Sequence, residues 1–267
     1  ELPLTQGLGD ILIKNSILVF GPNKKAAELE RSKKFTKDIC KKLNISSAAY
    51  DVFDNYDNAI NFCQKQSYPI VIKADGLAAG KGVIICETEH DAKDALFKCF
   101  KENIFGEAGA IVIIEEFLVG EEISLFALVD NNGIVLPLTT AQDHKKILEG
   151  EKGLNTGGMG AYSPVPSISN SKMIELSKQF IEPIIKYLSD QGIQYQGMFY
   201  AGLILTSSGP NLLEINVRFG DPETQAIVPL LKTDLLELLH ASASGNLQNI
   251  GKLEWKDRFS MTVVMAT

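Results

Sequence analysis

Apolar residues recur along this chain with two periods, and each period predicts a different kind of element. Short β-branched runs bounded by turn residues read as strands. They are 17–20 (ILVF, ending at Gly21-Pro22), PIVIKA and VIIC on either side of residues 75–82, IVIIEEF at 111–117, ISLFALVD at 123–130, IVLPLTT at 134–140, GMFYAGLIL, NLLEINV and the closing SMTVVMAT. Helical spacing marks other stretches. Ala26, Leu29, Phe35, Ile39 and Leu43 predict a helix across 24–43. A second runs from Asp54, as its N-cap, to about Gln66, and a third from Thr88 to about Lys101. A fourth covers 171–190 and is kinked or interrupted at Pro183, and 223–244 end in a leucine-rich helix. Asn132-Gly133 and Ser207–Pro210 are turns. From 141 to 168 the periodicity stops. That stretch is polar and glycine-rich, and it predicts a long loop of the kind that is usually functional or disordered.

The order of elements predicts a mixed α/β (α+β) chain. A strand–helix–strand unit at about 67–118 lies beside a larger sheet built from 121–142 and 196–218, and a nucleotide between two such lobes would be held from both sides. There is no internal repeat and no low-complexity segment.

Composition narrows the classes. The 267 residues can bury a large core, as one large domain or two smaller ones. A net charge of −7 argues against a general nucleic-acid binder but leaves room for a locally basic site. Cys40, Cys63, Cys86 and Cys99 lack metal-ligand spacing and read as buried reduced thiols, which suits a cytoplasmic setting. No run reaches the roughly 18 apolar residues of a membrane span. The opening ELPL and the closing strand are expected to be cut from something longer.

Four constellations carry candidate chemistry. The first is IKADGLAAGKGVII at 72–85. Gly76 and Gly80 are one residue too close for a Walker A loop, and Gly82 stands where that loop needs Ser or Thr. A dinucleotide fingerprint must open a helix, and here a strand follows. The stretch is a glycine-rich hairpin, either a plain turn or a set of backbone amides aimed at a phosphate, with Lys73 and Lys81 as point cations. The second is EEFLVGEE. Glu115 and Glu122 are acceptors at a strand end whose backbone could pair with an adenine edge, or they are an acidic turn. The third is LLEINVRFGDPET. Glu214 and Asn216 point to one face of a strand and are hard oxygen donors suited to Mg²⁺, with Arg218 continuing that face. The fourth joins AQDHKK to NTGGMGAYSP. Asp143, His144 and Lys145 cluster there, and Gly157, Gly158 and Gly160 allow close backbone approach, or the segment is a mobile loop.

Taken in order, KADGLAAGKGV, IEEFLVGEE, QDHK, NTGGMGAYSP and RFGDPETQ resemble the ATP-grasp fold, and more narrowly the glycinamide ribonucleotide synthetase family. The resemblance covers nearly the whole chain. It departs from the family pattern at Leu154, usually Pro, and at Val217, commonly Cys. It implies two α+β subdomains clamping a nucleotide. Residues 1–22 would be the tail of an N-terminal lobe and 23–66 the first part of the ATP-grasp region. Residues 67–118 would be the small subdomain, 119–255 the large one and 256–267 the start of a C-terminal lobe. It also implies an ATP-dependent ligase that joins glycine to 5-phosphoribosylamine through glycyl phosphate.

By matching position, Lys33 and Lys73 would grip the α- and β-phosphates under the loop holding Gly76, Gly80, Lys81 and Gly82. Glu115, with the backbone of Glu116 and Leu118, would hold adenine, and Glu122 the ribose. Glu214 and Asn216 would bind Mg²⁺ or Mn²⁺. Lys145 and Arg218 would stabilise the transferring phosphoryl group. Asp143, Asn155, Thr156, Gly157 and Asp221 would face the substrates. The implied state is a monomer or weak homodimer with no nucleic-acid or membrane partner. The rival readings are another ATP-grasp carboxylate–amine ligase and an ATP-binding fragment without full activity.

Overall fold

The computed structural model describes residues 1–78, 82–150 and 152–266. Two short helices, α1 (Leu2–Thr5) and α2 (Leu8–Lys14), open the chain. The strand expected at 17–20 does not form. Ile17 and Leu18 are half exposed, and instead of entering a ladder the segment packs Phe20 on Phe219 and accepts a bond at the Val19 carbonyl from Gln196. The helix expected across 24–43 is two helices, α3 (Glu28–Arg31) and α4 (Lys33–Leu43). The break is Ser32, which takes extended backbone angles so that its hydroxyl caps α4 at Phe35 N.

Next come β1 (Tyr50–Phe53) and α5 (Tyr56–Cys63), capped by Asn55 rather than by Asp54. The glycine-rich hairpin follows as β2 (Ile70–Ala74) and β3 (Val83–Cys86). Gly80 and Lys81 lie outside the described residues. Helix α6 (Glu89–Phe100) starts at Thr88 through a reciprocal capping box with Asp91 and leads to β4 (Val112–Glu116). These strands form a four-stranded sheet in the order β1-β4-β2-β3. Strand alternation sends Ile70, Ile72, Val112 and Ile114 into a core with α5 and α6. The opposite face carries Val71, Lys73, Val83, Ile85 and Glu115, and it is left open.

The larger sheet begins with β5 (Glu121–Val129), β6 (Val135–Leu148) and β7 (Lys152–Ser163). The long loop expected at 141–168 is therefore mostly a hairpin of two long strands. Its residues are polar and its glycines frequent, so no alternation marks it. The ladder is held by backbone pairing between β6 and β5 on one side and β7 and β10 on the other.

Helices α7 (Asn170–Phe180) and α8 (Glu182–Asp190) meet at Ile181, two residues before Pro183, which sits in the first turn of α8. Strands β8 (Gly197–Thr206) and β9 (Gly209–Asn216), helices α9 (Glu223–Ile227) and α10 (Leu235–Ser244), and β10 (Ser260–Val263) complete the chain. The six strands run β10-β7-β6-β5-β8-β9.

Strand β5 shows how this sheet is built. Ile123, Leu125, Ala127 and Val129 face a core with α4, α7 and α8, and Phe126 and Leu128 face a second core under α10. Glu122 and Ser124 share the face of Phe126, so that face changes from apolar core to polar cleft along one strand.

Candidate active site

A cavity of about 830 Å³ lies between the open face of the four-stranded sheet and the polar end of the six-stranded sheet. Most site residues expected from the sequence line it: Lys33, Lys73, Gly76, Gly82, Glu115, Glu116, Leu118, Glu122, Asp143, Lys145, Asn155, Thr156, Gly157, Glu214, Asn216, Arg218 and Asp221, whereas Gly158 packs against Pro222 and Gly160 against the backbone of Thr262.

On the four-stranded side, Lys73 Nζ lies 2.7 Å from Glu115 Oε2, and Lys37 Nζ 3.1 Å from Glu115 Oε1. All three side chains are buried. Glu115 Oε1 makes no hydrogen bond of good geometry, so it is held by charge. Lys37 also donates to Ala48 O at 3.1 Å, and burial pulls its ammonium below the usual lysine range despite Glu115. Lys33 is likewise lowered by burial, with Glu214 opposing. The hairpin is tied to the start of α4, where Asp75 accepts from Lys34 N at 2.6 Å and Ser32 Oγ at 3.0 Å and Lys33 Nζ reaches Gly76 O at 3.5 Å. Gly76 has no room for a side chain, since a Cβ would sit 2.7 Å from Ala108 Cα. The N–H of Glu116 is engaged by Ala49 O at 3.0 Å.

On the six-stranded side, Lys145 Nζ stands 3.5 Å from Asp143, 3.7 Å from Glu122 and 3.9 Å from Glu214. Burial opposes its charge, but Tyr200 and the three carboxylates outweigh burial and hold it well above the usual range. Burial also opposes ionisation of Glu214. Lys145, Lys73, Lys33 and Arg218 overcome it, and the carboxyl stays below its ordinary value. Arg218 Nε donates to Glu30 at 3.0 Å, and Glu30 also accepts from Val217 N at 2.9 Å. Burial is the main cause raising the Glu30 carboxyl, with Arg218 pulling it down.

The segment read as a loop delivers its residues through a bulge. Between the pairs His144–Gly160 and Lys146–Asn155, β6 advances two residues while β7 uses five. The excess residues of β7 include Thr156 and Gly157, and Thr156 Oγ1 donates back to Lys145 O at 2.8 Å. Gly158 turns the bulge at φ +123, where a Cβ would run into the Pro222 ring.

Sequence reasoning missed Lys37, Glu30, Asp75, Ser124, Tyr200 and Glu223. Nothing local marked Glu30, whose partner lies 188 residues away.

Among the described residues no group of three or more His, Cys, Asp or Glu side chains forms a preformed metal cage. Glu214 and Asn216 supply two hard oxygen donors side by side on β9. That set fits a Mg²⁺-type ion that takes its remaining ligands from phosphate and water.

The family described as "Phosphoribosylglycinamide synthetase, ATP-grasp (A) domain" matches residues 31–224. The whole chain is 47% identical over 267 residues to a phosphoribosylamine–glycine ligase of Caldanaerobacter subterraneus, and it covers 64% of that protein. It is 44% identical over 269 residues to the chloroplastic phosphoribosylamine–glycine ligase of Arabidopsis thaliana, covering 50% of it. The crystal structure of phosphoribosylamine–glycine ligase from Thermotoga maritima is similar with a TM-score of 0.84 and 33% identity, over 96% of this chain and 64% of that one. A biotin carboxylase from Campylobacter jejuni, with a TM-score of 0.72 and 17% identity over 94% of this chain and 54% of that one, shares the fold alone. The chain thus spans less than two thirds of the length of these relatives.

Proposed function

Because this chain belongs to the phosphoribosylglycinamide synthetase ATP-grasp family, we propose that it carries the ATP site and the chemical centre of a ligase joining glycine to 5-phosphoribosylamine, with ADP and phosphate as by-products, in purine biosynthesis. The observation that carries this reading is the single cavity in which Lys33 and Lys73 face Lys145 and Arg218 across Glu214 and Asn216.

A carboxylate is a poor electrophile for an amine. Transfer of the γ-phosphoryl group of ATP to glycine gives an acyl phosphate with a good leaving group, and the amine then displaces phosphate. The protein's task is to position reactants and neutralise phosphoryl charge. Lys33 and Lys73 grip the phosphates beneath the glycine hairpin. Glu115 contributes by fixing Lys73, since both its oxygens already face ammonium groups. The adenine edge then falls to the carbonyl of Glu116 and the backbone at Leu118, against the apolar wall of Val71, Val83 and Ile85. Glu122 receives the ribose. Glu214 and Asn216 would hold Mg²⁺ or Mn²⁺, which supplies charge neutralisation between the phosphates. Lys145 and Arg218 face the transferring phosphoryl group, and Asp143, Asn155, Thr156, Gly157 and Asp221 face glycine and the amine. The proposal includes a cytoplasmic setting, in keeping with four buried free thiols, and a monomer or weak homodimer.

The test is isotopic. Glycine labelled with ¹⁸O in its carboxylate should deliver one label to inorganic phosphate when the protein in its full natural length turns over. The bridging oxygen stays on phosphorus when the amine attacks carbon. Label in AMP with release of pyrophosphate would overturn the reading.

A further inference from the structure

Three carboxyl groups that line the cavity are buried: Glu30, Glu115 and Glu223. Glu30 is paired with Arg218, and Glu115 with Lys37 and Lys73. Glu223, only 3% exposed, has no Lys, Arg or His nitrogen within 4.0 Å among the described residues. The cleft's other inner carboxylates, Glu122, Asp143 and Glu214, all stand within 3.9 Å of the Lys145 ammonium.

The Glu223 carboxyl is built into place. Oε1 accepts from Ser124 Oγ at 3.0 Å, and that hydroxyl lies 3.0 Å from Tyr200 OH. Oε2 lies against Gly220, where a Cβ would come within 2.6 Å of it, so glycine at 220 makes room for the carboxyl. A buried carboxyl that is hydrogen-bonded but lacks a cation is a stronger base than an ordinary one. Burial is the main cause that raises it and the charge of Asp143 adds to the effect, against the Ser124 hydrogen bond and the more distant charge of Lys145.

Resting on the ligase reading above, we propose that Glu223 is the general base of amide formation, taking the proton that the attacking amine releases. The amine nitrogen of 5-phosphoribosylamine forms a bond to the glycyl carbon. The bond from that carbon to the phosphate oxygen breaks with its electron pair on phosphate, and the N–H proton passes to the Glu223 carboxylate. Ser124 and Tyr200 are positioning residues that hold that carboxylate. The ionisable groups whose charges reach Glu223 are Asp143 and Lys145 on β6 and Tyr200 on β8, with Asp221 in its own turn also lining the cavity. Strand β7 meets this turn through Gly158, and β10 brings no ionisable side chain.

Hydroxylamine separates the two half-reactions, because it is neutral and nucleophilic near pH 7 and traps an acyl phosphate without a base. In the full-length protein, Glu223→Gln should lower 5-phosphoribosylamine-dependent turnover by about 10²- to 10⁴-fold, while ATP- and glycine-dependent hydroxamate formation stays within about threefold of the unmodified protein. Ser124→Ala, a milder change, should move the acid limb of amine-dependent turnover to higher pH, because the carboxylate loses a hydrogen bond that favours its charged form. Equal loss of both reactions in Glu223→Gln, full retention of turnover, or an unmoved acid limb in Ser124→Ala would each overturn the proposal. Absence of hydroxamate in the unmodified protein would instead bring down the ligase reading, and this proposal with it.

Discussion

Lys145 stands among Asp143, Glu122 and Glu214 with no closer approach than 3.5 Å. That spacing leaves the ammonium charged and available to an incoming phosphoryl oxygen. Glu214 is its counterpart, an ionised carboxylate kept so by four surrounding cations. Glu214→Gln keeps the shape and removes the charge. Turnover should fall about a hundredfold or more, since one charge interaction in the transition state is worth about 3 kcal/mol. Near-normal turnover at saturating Mg²⁺ would remove Glu214 from the metal shell. Lys37 poses a different question, because it is buried and pairs with Glu115, which already holds Lys73. Lys37→Met leaves Glu115 with Lys73 alone in a dry site. Breaking a buried pair costs about 3–5 kcal/mol, which urea unfolding would register together with a rise in the KM for ATP. Unchanged stability would mean that water already reaches the pair.

At the scale of elements, the β6–β7 hairpin decides the shape of the substrate side. Its bulge brings Thr156 and Gly157 beside Lys145, and Gly158 makes the turn possible against the Asp221–Pro222 segment. Gly158→Ala puts a methyl group at positive φ into the Pro222 ring. Stability should fall by about 1–3 kcal/mol, and turnover should fall further than the folded fraction does, because the bulge is pushed off its register. Equal losses of folded fraction and turnover would show that the bulge is only structural. The same hairpin was the largest departure from expectation. The strands around it were legible because buried faces impose period two on Val, Ile, Leu and Phe. Residues 141–163 line a polar cleft on one face and include five glycines, so their strand character lies in backbone pairing that side chains do not announce. The opposite error occurred at 17–20, where four apolar residues in a row found no neighbouring strand to pair with.

For the whole molecule, the cores impose a shared pH dependence. Burial pushes the thiols of Cys40, Cys63 and Cys99 from 9.0 to about 11 and that of Cys86 to about 12. The folded state therefore holds these protons more tightly than the unfolded chain does. Stability from this source is fully present below pH 9.0 and is lost as pH rises through the folded values of about 11 to 12. Each buried thiol contributes a slope of up to about 1.4 kcal/mol per pH unit in that window. Unfolding free energies measured from pH 8 upward should bend down above pH 9, and Cys99→Ala should shallow the decline. A flat profile to pH 11 would mean that the thiols ionise in place.

Sequence alone determined the kinds of residue available to the site, the strand faces on which Glu214 and Asn216 sit together, and the glycine positions that let backbone approach a ligand. Those properties depend on period, spacing and side-chain chemistry, which are local. Only the tertiary structure decided which charges meet. It placed Glu115 between Lys37 and Lys73, tied Arg218 to Glu30 across 188 residues, and left Glu223 buried beside Ser124 with no cation within 4.0 Å among the described residues. Charges interact through space with strengths set by distance and burial, and neither quantity is written in the order of residues along the chain.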